Sequence, residues 1–235
     1  MLDDTILIDF PADTYFHVIT HGINLEKIKH CIITHPHSDH FYPSDLEMRG
    51  IGFAVTNNNP LNFYGTQIVF ETVNQFISEY NLKNDNRIMS HLVIPYKPFF
   101  IEDYQIIALP ADHTEDIFPV VYIIIKNNTC MLYAHDTGIF EDTVWNWLKS
   151  SRIRFDFVSL DCTAGLLTGW EHGHLGLDTC AVFAERLEKS GAADSNTKYC
   201  VNHFSHNCLA DYDEILPAAS KLGFDVSYDG KIIYF

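Results

Sequence analysis

Short apolar runs separated by polar turns follow one another along the chain, and this pattern predicts an α/β protein. Runs with strand-like composition cover residues 5–9, 31–34 and 155–160. The clearest helix is predicted over residues 67–82, where apolar side chains recur every three or four positions. Strands that cluster first and then alternate with helices indicate a sandwich with mixed sheets.

Two β-hairpins are predicted from turn residues between β-rich runs. Asn127-Asn128 joins Val120–Lys126 to residues 130–133. Asp229-Gly230 lies inside the β-rich tail, residues 224–235, and is a strong hairpin signal. Residues 50–59 and 81–87 are turn-rich and polar, so we expect them to form surface turns.

The composition predicts one domain over residues 1–235. The chain is 47% hydrophobic and 14% aromatic, which suffices for one large core. It carries 15 Lys and Arg against 31 Asp and Glu, a formal net charge of −16. Such acidity argues against non-specific binding to nucleic acids or anionic membranes. It does not exclude an anionic substrate, because bound cations can reverse the local field.

The cysteines and the first residues predict a cytoplasmic protein. The six cysteines contain no C-x-x-C pair, so we expect reduced and mostly buried thiols. The start, Met1-Leu2-Asp3-Asp4, lacks the basic region and apolar core of a signal peptide. No apolar stretch approaches the roughly 18 residues that a membrane span needs.

The densest group of chemically active residues is Thr34-His35-Pro36-His37-Ser38-Asp39-His40. Pro36 cannot continue a strand, so we expect the group to lie on a loop directly after one. Its three imidazoles and one carboxylate are ligands that can be divided between two divalent cations. The sequence therefore predicts a metal site here.

Other strand-like runs also finish in a histidine or an aspartate. These strand-end residues are His113, Asp136, Asp161 and His203. Ligands delivered from the carboxyl ends of strands meet at one edge of a sheet, where open α/β folds place their sites.

The order of these residues resembles that of the metallo-β-lactamase-fold hydrolases along nearly the whole chain. The resemblance implies a four-layer αββα sandwich with two mixed β-sheets. The segment His174-Leu175-Gly176-Leu177 lies between Asp136 and His203. A histidine at this place in the order resembles the phosphodiesterase branch of the family. That branch includes ribonuclease Z and the cyclic phosphate phosphodiesterase of phosphonate breakdown.

The resemblance implies seven ligands for two metal ions. They are His35, His37 and His113 for the first metal, Asp39, His40 and His203 for the second, and Asp136 as a bridge. The expected ions are Zn or Mn, and Fe also fits this ligand set. Two such divalent ions can share a hydroxide that serves as the nucleophile.

The resemblance also implies a substrate-facing histidine. His174 would stabilise the attacked phosphorus or assist the leaving oxygen, and with Asp39 it completes the expected catalytic residues. His172 competes with His174 for this role, and His206 competes with His203 as a ligand. We expect Asp9, Asp161 and His135 to be hydrogen-bonding or core residues, or to orient a ligand.

The leading hypothesis is a phosphodiesterase for a small cyclic or nucleotide-like phosphodiester. The alternative is a carbonyl hydrolase, such as a lactonase, thioesterase or β-lactamase, with the same metal centre. A non-catalytic metal-binding protein is the third interpretation. A small molecule is the expected partner, a nucleic acid is not favoured, and no membrane is expected.

Members of the resembled family carry additional strands before the one corresponding to residues 5–9. Here Met1 nearly begins that strand. Either the true start lies upstream, or the edge is covered by a second copy of the chain, which makes a homodimer an expected assembly.

Overall fold

The computed structural model describes residues 1–50, 52–53, 60–80, 82 and 87–235. Within these residues, helices and two β-sheets form an α/β fold, which confirms the predicted class. The surface turns predicted over 50–59 and 81–87 lie mainly outside the described residues. The chain divides into two compact units, Met1–Pro95 with Asp116–Val120, and Tyr96–Glu115 with Val121–Phe235. The single domain over residues 1–235 stays a prediction.

The first unit contains a four-stranded sheet. Its strands, in spatial order, are β1 (Ile6–Ile8), β2 (His30–Ile32), β3 (Leu61–Gly65) and β4 (Ile88–Leu92). The described pairings between neighbours are all parallel, whereas mixed sheets were expected. Parallel neighbours need long crossovers, and helices α1 (Thr14–His21) and α2 (Gln67–Glu79) lie in two of them.

Helix α2 supplies one wall of this unit's core. Its buried side chains include Val69, Val73 and Phe76, and they belong to one cluster with Cys31 and Phe63 of the sheet. The apolar face predicted for residues 67–82 is therefore confirmed as far as Ile77, whereas Tyr80 follows the helix and is 39% exposed. The opposite wall is the sheet from which the histidine-rich loop leaves.

The second unit contains a seven-stranded mixed sheet. Its spatial order is β11, β10, β9, β8, β7, β6, β5. The strands are β5 (Phe99–Ile101), β6 (Tyr104–Pro110), β7 (Val120–Lys126), β8 (Thr129–Ala134), β9 (Phe157–Asp161), β10 (Lys198–Asn202) and β11 (Phe224–Val226). β7 and β8 form the predicted antiparallel hairpin, and Asn127 and Asn128 both have positive φ, as a two-residue turn of this kind requires.

The second predicted hairpin is wrong. β11 pairs in parallel with β10, and residues 227–235 contain no strand. Asp229 and Gly230 do form a turn, but Lys231 then donates from Nζ to the carbonyl oxygen of Val226 at 2.8 Å. β11 is the outermost strand of this sheet and pairs through one edge with β10, and Phe224 and Val226 are buried without a returning strand.

Three helices complete this unit. They are α3 (Asp142–Ser151), α4 (Leu177–Ser190) and α5 (Tyr212–Lys221). Trp145 and Phe183 belong with Leu132 and Leu160 of the sheet to one buried cluster. Within the described residues, none of the helices combines the length and the apolar character needed to cross a membrane.

Candidate metal centre

The histidine-rich segment lies on a loop after β2, as predicted. His35 and His40 are almost fully buried, at 0% and 4% exposure. His37 is half-buried, and the Asp39 side chain is 70% exposed. The first unit thus carries three imidazoles and one carboxylate within one short loop.

His35 and His37 direct ring nitrogens at each other. His35 Nε2 lies 2.9 Å from His37 Nδ1. Two imidazole nitrogens at this separation need a proton or a cation between them, because two lone pairs repel. Imidazole nitrogens that converge on one point are a typical divalent-metal arrangement. The pair therefore fits a metal ligand set.

Asp9 orients the two buried histidines. Its Oδ1 atom accepts hydrogen bonds from Thr34 N at 2.8 Å and Thr34 Oγ1 at 3.0 Å. Its Oδ2 atom lies 2.8 Å from His40 Nδ1, and Thr34 Oγ1 lies 3.0 Å from His35 Nδ1. These Nδ1 contacts leave Nε2 of both rings as the nitrogen that would coordinate a metal, which is how metal-binding histidines are commonly held.

In the second unit, oxygen atoms orient His113 and His203 in the same way. His113 Nδ1 lies 3.1 Å from the carbonyl oxygen of Gly173. His203 Nδ1 lies 2.8 Å from Thr163 Oγ1. Nε2 is again the nitrogen that would coordinate a metal. Asp136 is 3% exposed and follows β8.

Asp161 holds these residues together and is fully buried. Its Oδ1 atom accepts from the amides of Thr163 and Leu175, both at 2.9 Å. Its Oδ2 atom accepts from the amide of Asp136 at 3.0 Å and from Thr163 Oγ1 at 3.1 Å. His174 Nδ1 lies 3.1 Å from the same oxygen.

Ligand-type atoms of Asp136, Asp161, His174 and His203 all lie within 4.8 Å of one another. Such a group can hold a metal ion. However, both oxygens of Asp161 already accept hydrogen bonds from main-chain amides. We therefore assign Asp161 to orienting its neighbours and not to coordination.

Three of these residues have left-handed backbone geometry. Asp9, Asp136 and His203 have φ values of 65°, 49° and 62° and stand at or just beyond the ends of β1, β8 and β10. Each such non-glycine conformation costs about 1–2 kcal/mol. Strain of this kind concentrates at functional sites, where surrounding contacts hold it.

His174 lies between two carboxylates. Its Nδ1 atom is 3.1 Å from both Asp136 Oδ1 and Asp161 Oδ2, and its side chain is 26% exposed. Burial lowers the pKa of His174, but hydrogen bonds and charge from Asp136 and Asp161 outweigh burial and raise the pKa to about 10. Without metal, this imidazole is therefore a cation at neutral pH.

His172 and His206, the two competing histidines, lie at exposed positions, whereas His135 lies in the core. His172 is 85% exposed and contacts Asp112 Oδ2 through Nδ1 at 3.0 Å. His206 is exposed and begins a short 3-10 helix, His206–Cys208. His135 is buried, with Nε2 2.7 Å from Ser159 Oγ. The assignment of the seven metal ligands stays a prediction.

Sequence reasoning missed Thr163, Thr34 and Asp112. Thr163 stands two residues after Asp161, a spacing at which short polar side chains commonly bond local backbone, so it could have been found. Thr34 was included in the histidine-rich segment without a role. Nothing in the pattern around Asp112 predicts that it holds His172.

Comparison with known proteins identifies the family and the fold of the chain. The family model for the β-lactamase superfamily domain matches residues 6–193. A search of curated proteins found no significant match. Among solved structures, the metallo-β-lactamase-fold protein YhfI from Bacillus subtilis is 16% identical with a TM-score of 0.69, covering 96% of this chain and 85% of that one.

Two further structures have names that describe phosphate chemistry. Human tRNase Z, short form, is 16% identical with a TM-score of 0.67, covering 100% of this chain and 90% of that one. A diphosphatase of the PhnP family is 19% identical with a TM-score of 0.65, covering 96% and 77%. At such identities these likenesses show the fold alone.

The chain belongs to the β-lactamase superfamily, because the family model covers most of its length. Its fold and its clusters of histidine and aspartate define a metal-dependent hydrolase that binds divalent metal. The donor set contains imidazoles and carboxylates without a thiolate, which suits Zn²⁺, Mn²⁺ or Fe²⁺.

Proposed function

We propose that this hydrolase is a dinuclear phosphodiesterase that acts on a small cyclic or nucleotide-like phosphodiester. The proposed ligands are His35, His37 and His113 for one metal, Asp39, His40 and His203 for the other, and Asp136 for both. Zn and Mn are the proposed metals, and Fe also fits. When bound, two such ions would make water nucleophilic near neutral pH and would stabilise negative charge on an attacked phosphorus.

The observation that carries the proposal is the position of His174. Its Nδ1 atom contacts carboxylate oxygens of both Asp136 and Asp161, and these contacts fix the orientation of the ring. That orientation assigns Nε2 to the substrate. A fixed imidazole N–H that meets a phosphate oxygen stabilises the charge that develops as the phosphorus is attacked. The same group can deliver a proton to the departing oxygen.

The support from known proteins is general. Two of the solved structures with this fold are named as a tRNase and a diphosphatase, so the fold can serve phosphate ester chemistry. The net charge of −16 favours a small substrate over a polynucleotide. We therefore include a small-molecule substrate in the proposal. We also propose that two copies of the chain form a homodimer along an edge strand.

A cytoplasmic location is also proposed. All six cysteines are free and buried. Free thiols are the usual state in reducing compartments.

Hydrolysis of bis(4-nitrophenyl) phosphate by protein loaded with Mn²⁺ or Zn²⁺ tests the function. We expect release of 4-nitrophenolate that disappears when a chelator strips the metal. A His17→Ala variant is the control, because His17 lies on α1 and pairs with Asp13 on the surface. Absence of turnover with both metals confirmed as bound would contradict the proposal.

A further inference from the structure

Residues 164–177 form a closed loop between β9 and α4. The amide of Ala164 donates to the carbonyl oxygen of Leu175 at 3.0 Å, and the amide of Leu177 donates to that of Gly165 at 2.8 Å. Gly165 and Gly176 also form a parallel bridge. The two ends are therefore joined, and residues 166–174 project between them. We call these nine residues the 166–174 loop.

The beginning of α4 holds the outer part of this loop. The amide of Gly169 donates to Asp178 Oδ2 at 2.9 Å. Thr179 Oγ1 donates to the carbonyl oxygen of Trp170 at 2.6 Å. The amide of Gly169 and the carbonyl of Trp170 are thus both hydrogen-bonded to α4. These two bonds fix the conformation of the loop tip.

The loop after β8 holds the returning part. The amide of Ile139 donates to the carbonyl oxygen of Glu171 at 2.7 Å. Any side chain at Gly138 would overlap Glu171 O and the Cα atom of His172, so glycine permits the close approach. His172 is further held by Asp112. The loop is therefore anchored along its length.

Three large apolar side chains of this fixed loop face solvent. Leu166 is 42% exposed, Leu167 is 37% exposed and Trp170 is 46% exposed. Single exposed apolar residues are ordinary on protein surfaces, whereas three on one anchored segment give that segment an apolar surface that a ligand can contact. A fixed aromatic side chain binds without losing much conformational freedom, so it is well suited to recognition.

The loop also leads directly into the candidate site. Gly173 contacts His113 through its carbonyl oxygen, and His174 contacts Asp136 and Asp161. Trp170 is four residues before His174, so their Cα atoms are separated by at most about 14 Å. A substrate whose phosphorus lies beside His174 can therefore extend its remaining part toward Trp170.

We propose that the 166–174 loop, with Trp170 as its main contact, binds a planar aromatic group on the non-reacting side of the substrate. A nucleobase has this chemistry, because every base offers a flat face for stacking. The inference rests on the proposed phosphodiesterase function and deepens it: the substrate class becomes phosphodiesters that carry an aromatic group besides the leaving group.

Two esters with the same leaving group test this inference. They are thymidine 5′-(4-nitrophenyl phosphate) and methyl 4-nitrophenyl phosphate, which share the leaving group and differ in that one carries a nucleoside where the other carries a methyl group. We expect Trp170→Ala to lower kcat/KM for the thymidine ester about tenfold and to leave the methyl ester nearly unchanged. Trp170→Phe should keep most of the wild-type kcat/KM for the thymidine ester. Phe100→Ala is the control: it removes an aromatic side chain on β5 that is 69% exposed, and it should change kcat/KM for neither ester.

Equilibrium binding separates failure of this inference from failure of the proposed function. Calorimetry with metal-loaded protein compares thymidine 5′-monophosphate with inorganic phosphate. We expect Trp170→Ala to weaken the nucleotide about tenfold and to leave phosphate unchanged. If wild-type protein turns over neither ester, the proposed function fails, and this binding difference still decides the role of the loop. Equal losses for both ligands, or no loss for the nucleotide, would overturn the inference.

Discussion

The main-chain amide of Asp136 donates a hydrogen bond to the Oδ2 atom of Asp161 over 3.0 Å. Asp136 has a φ of 49°, so this bond helps to hold a strained residue at the end of its strand. The same oxygen lies 3.1 Å from His174 Nδ1. One fully buried carboxylate therefore sets the orientation of both the proposed bridging ligand and the proposed substrate-facing histidine.

Replacement of Asp161 by asparagine should damage this arrangement without changing its size. The NH₂ group of asparagine would face the N–H and O–H groups from which Asp161 now accepts hydrogen bonds. Because donors would then face donors, the free energy of unfolding should fall by about 1–3 kcal/mol. Metal affinity or activity should fall by about 10–100-fold, as is usual for residues that orient metal ligands.

Asp156→Asn is the matched control for this prediction. Asp156 also accepts a main-chain hydrogen bond, from the amide of Cys130 at 2.8 Å. It directly precedes β9, whereas Asp161 is the last residue of that strand, so the two carboxylates lie at opposite ends of β9. Equilibrium dialysis, activity and denaturant unfolding should all be measured for both variants. Equal loss of metal affinity in the two variants would show that Asp161 has no special role.

Replacement of His174 by alanine should separate chemistry from metal binding. We expect kcat for an aryl phosphodiester to fall at least about 100-fold while both metals remain bound, because a positioned acid contributes at least that much. His172→Ala should keep most of kcat, since His172 contacts Asp112 and is largely exposed. A carbonyl hydrolase that makes no use of His174 would barely respond, and that result would favour the alternative chemistry.

The stability of metal-free protein should depend on pH through His174. Contacts with Asp136 and Asp161 outweigh burial and raise its pKa from the ordinary 6.5 to about 10. A raised pKa means that the folded state binds the proton more tightly than the unfolded state does. The stabilisation is therefore full below pH 6.5 and is lost as pH rises through about 10.

The experiment is denaturant unfolding of chelated protein between pH 6 and pH 10.5, for wild type and His174→Gln. We expect the difference in unfolding free energy between the two to shrink as pH rises. A difference that stays constant, or grows with pH, would contradict the assignment.

Asp9 should be needed for the metal ligands of the first unit. Its carboxylate contacts His40 Nδ1 and Thr34, and Thr34 in turn contacts His35. Asp9→Asn should therefore weaken metal binding about 10–100-fold. Asp13→Asn is the control, because Asp13 pairs with His17 near α1 on the surface. Unchanged affinity in Asp9→Asn would refute the orienting role.

Much of the fold follows from local pattern. The apolar face of α2 and the hairpin at Asn127-Asn128 were predictable because each depends on neighbouring residues. The tail was not, because the partner of Phe224–Val226 is β10, which lies more than twenty residues away. A local turn signal at Asp229-Gly230 cannot reveal a distant parallel partner.

The candidate site shows the same division. Residues with metal-binding chemistry could be listed from the sequence, because imidazoles and carboxylates at strand ends have few structural reasons to recur. Their hydrogen-bond partners could not all be listed. The contacts of Asp161 with Leu175 and of His113 with Gly173 join residues far apart in sequence. Such contacts depend on how the loops fold, and residue type alone does not predict them.

The number of metal ions bound per chain tests the central claim most directly. Elemental analysis after equilibrium dialysis with Mn²⁺ or Zn²⁺ should give two ions per chain for wild type, since the proposal divides the ligands between two metals. His37→Ala and His203→Ala should each lose one ion and keep the other. A wild-type value of one ion per chain at saturation would contradict the dinuclear centre.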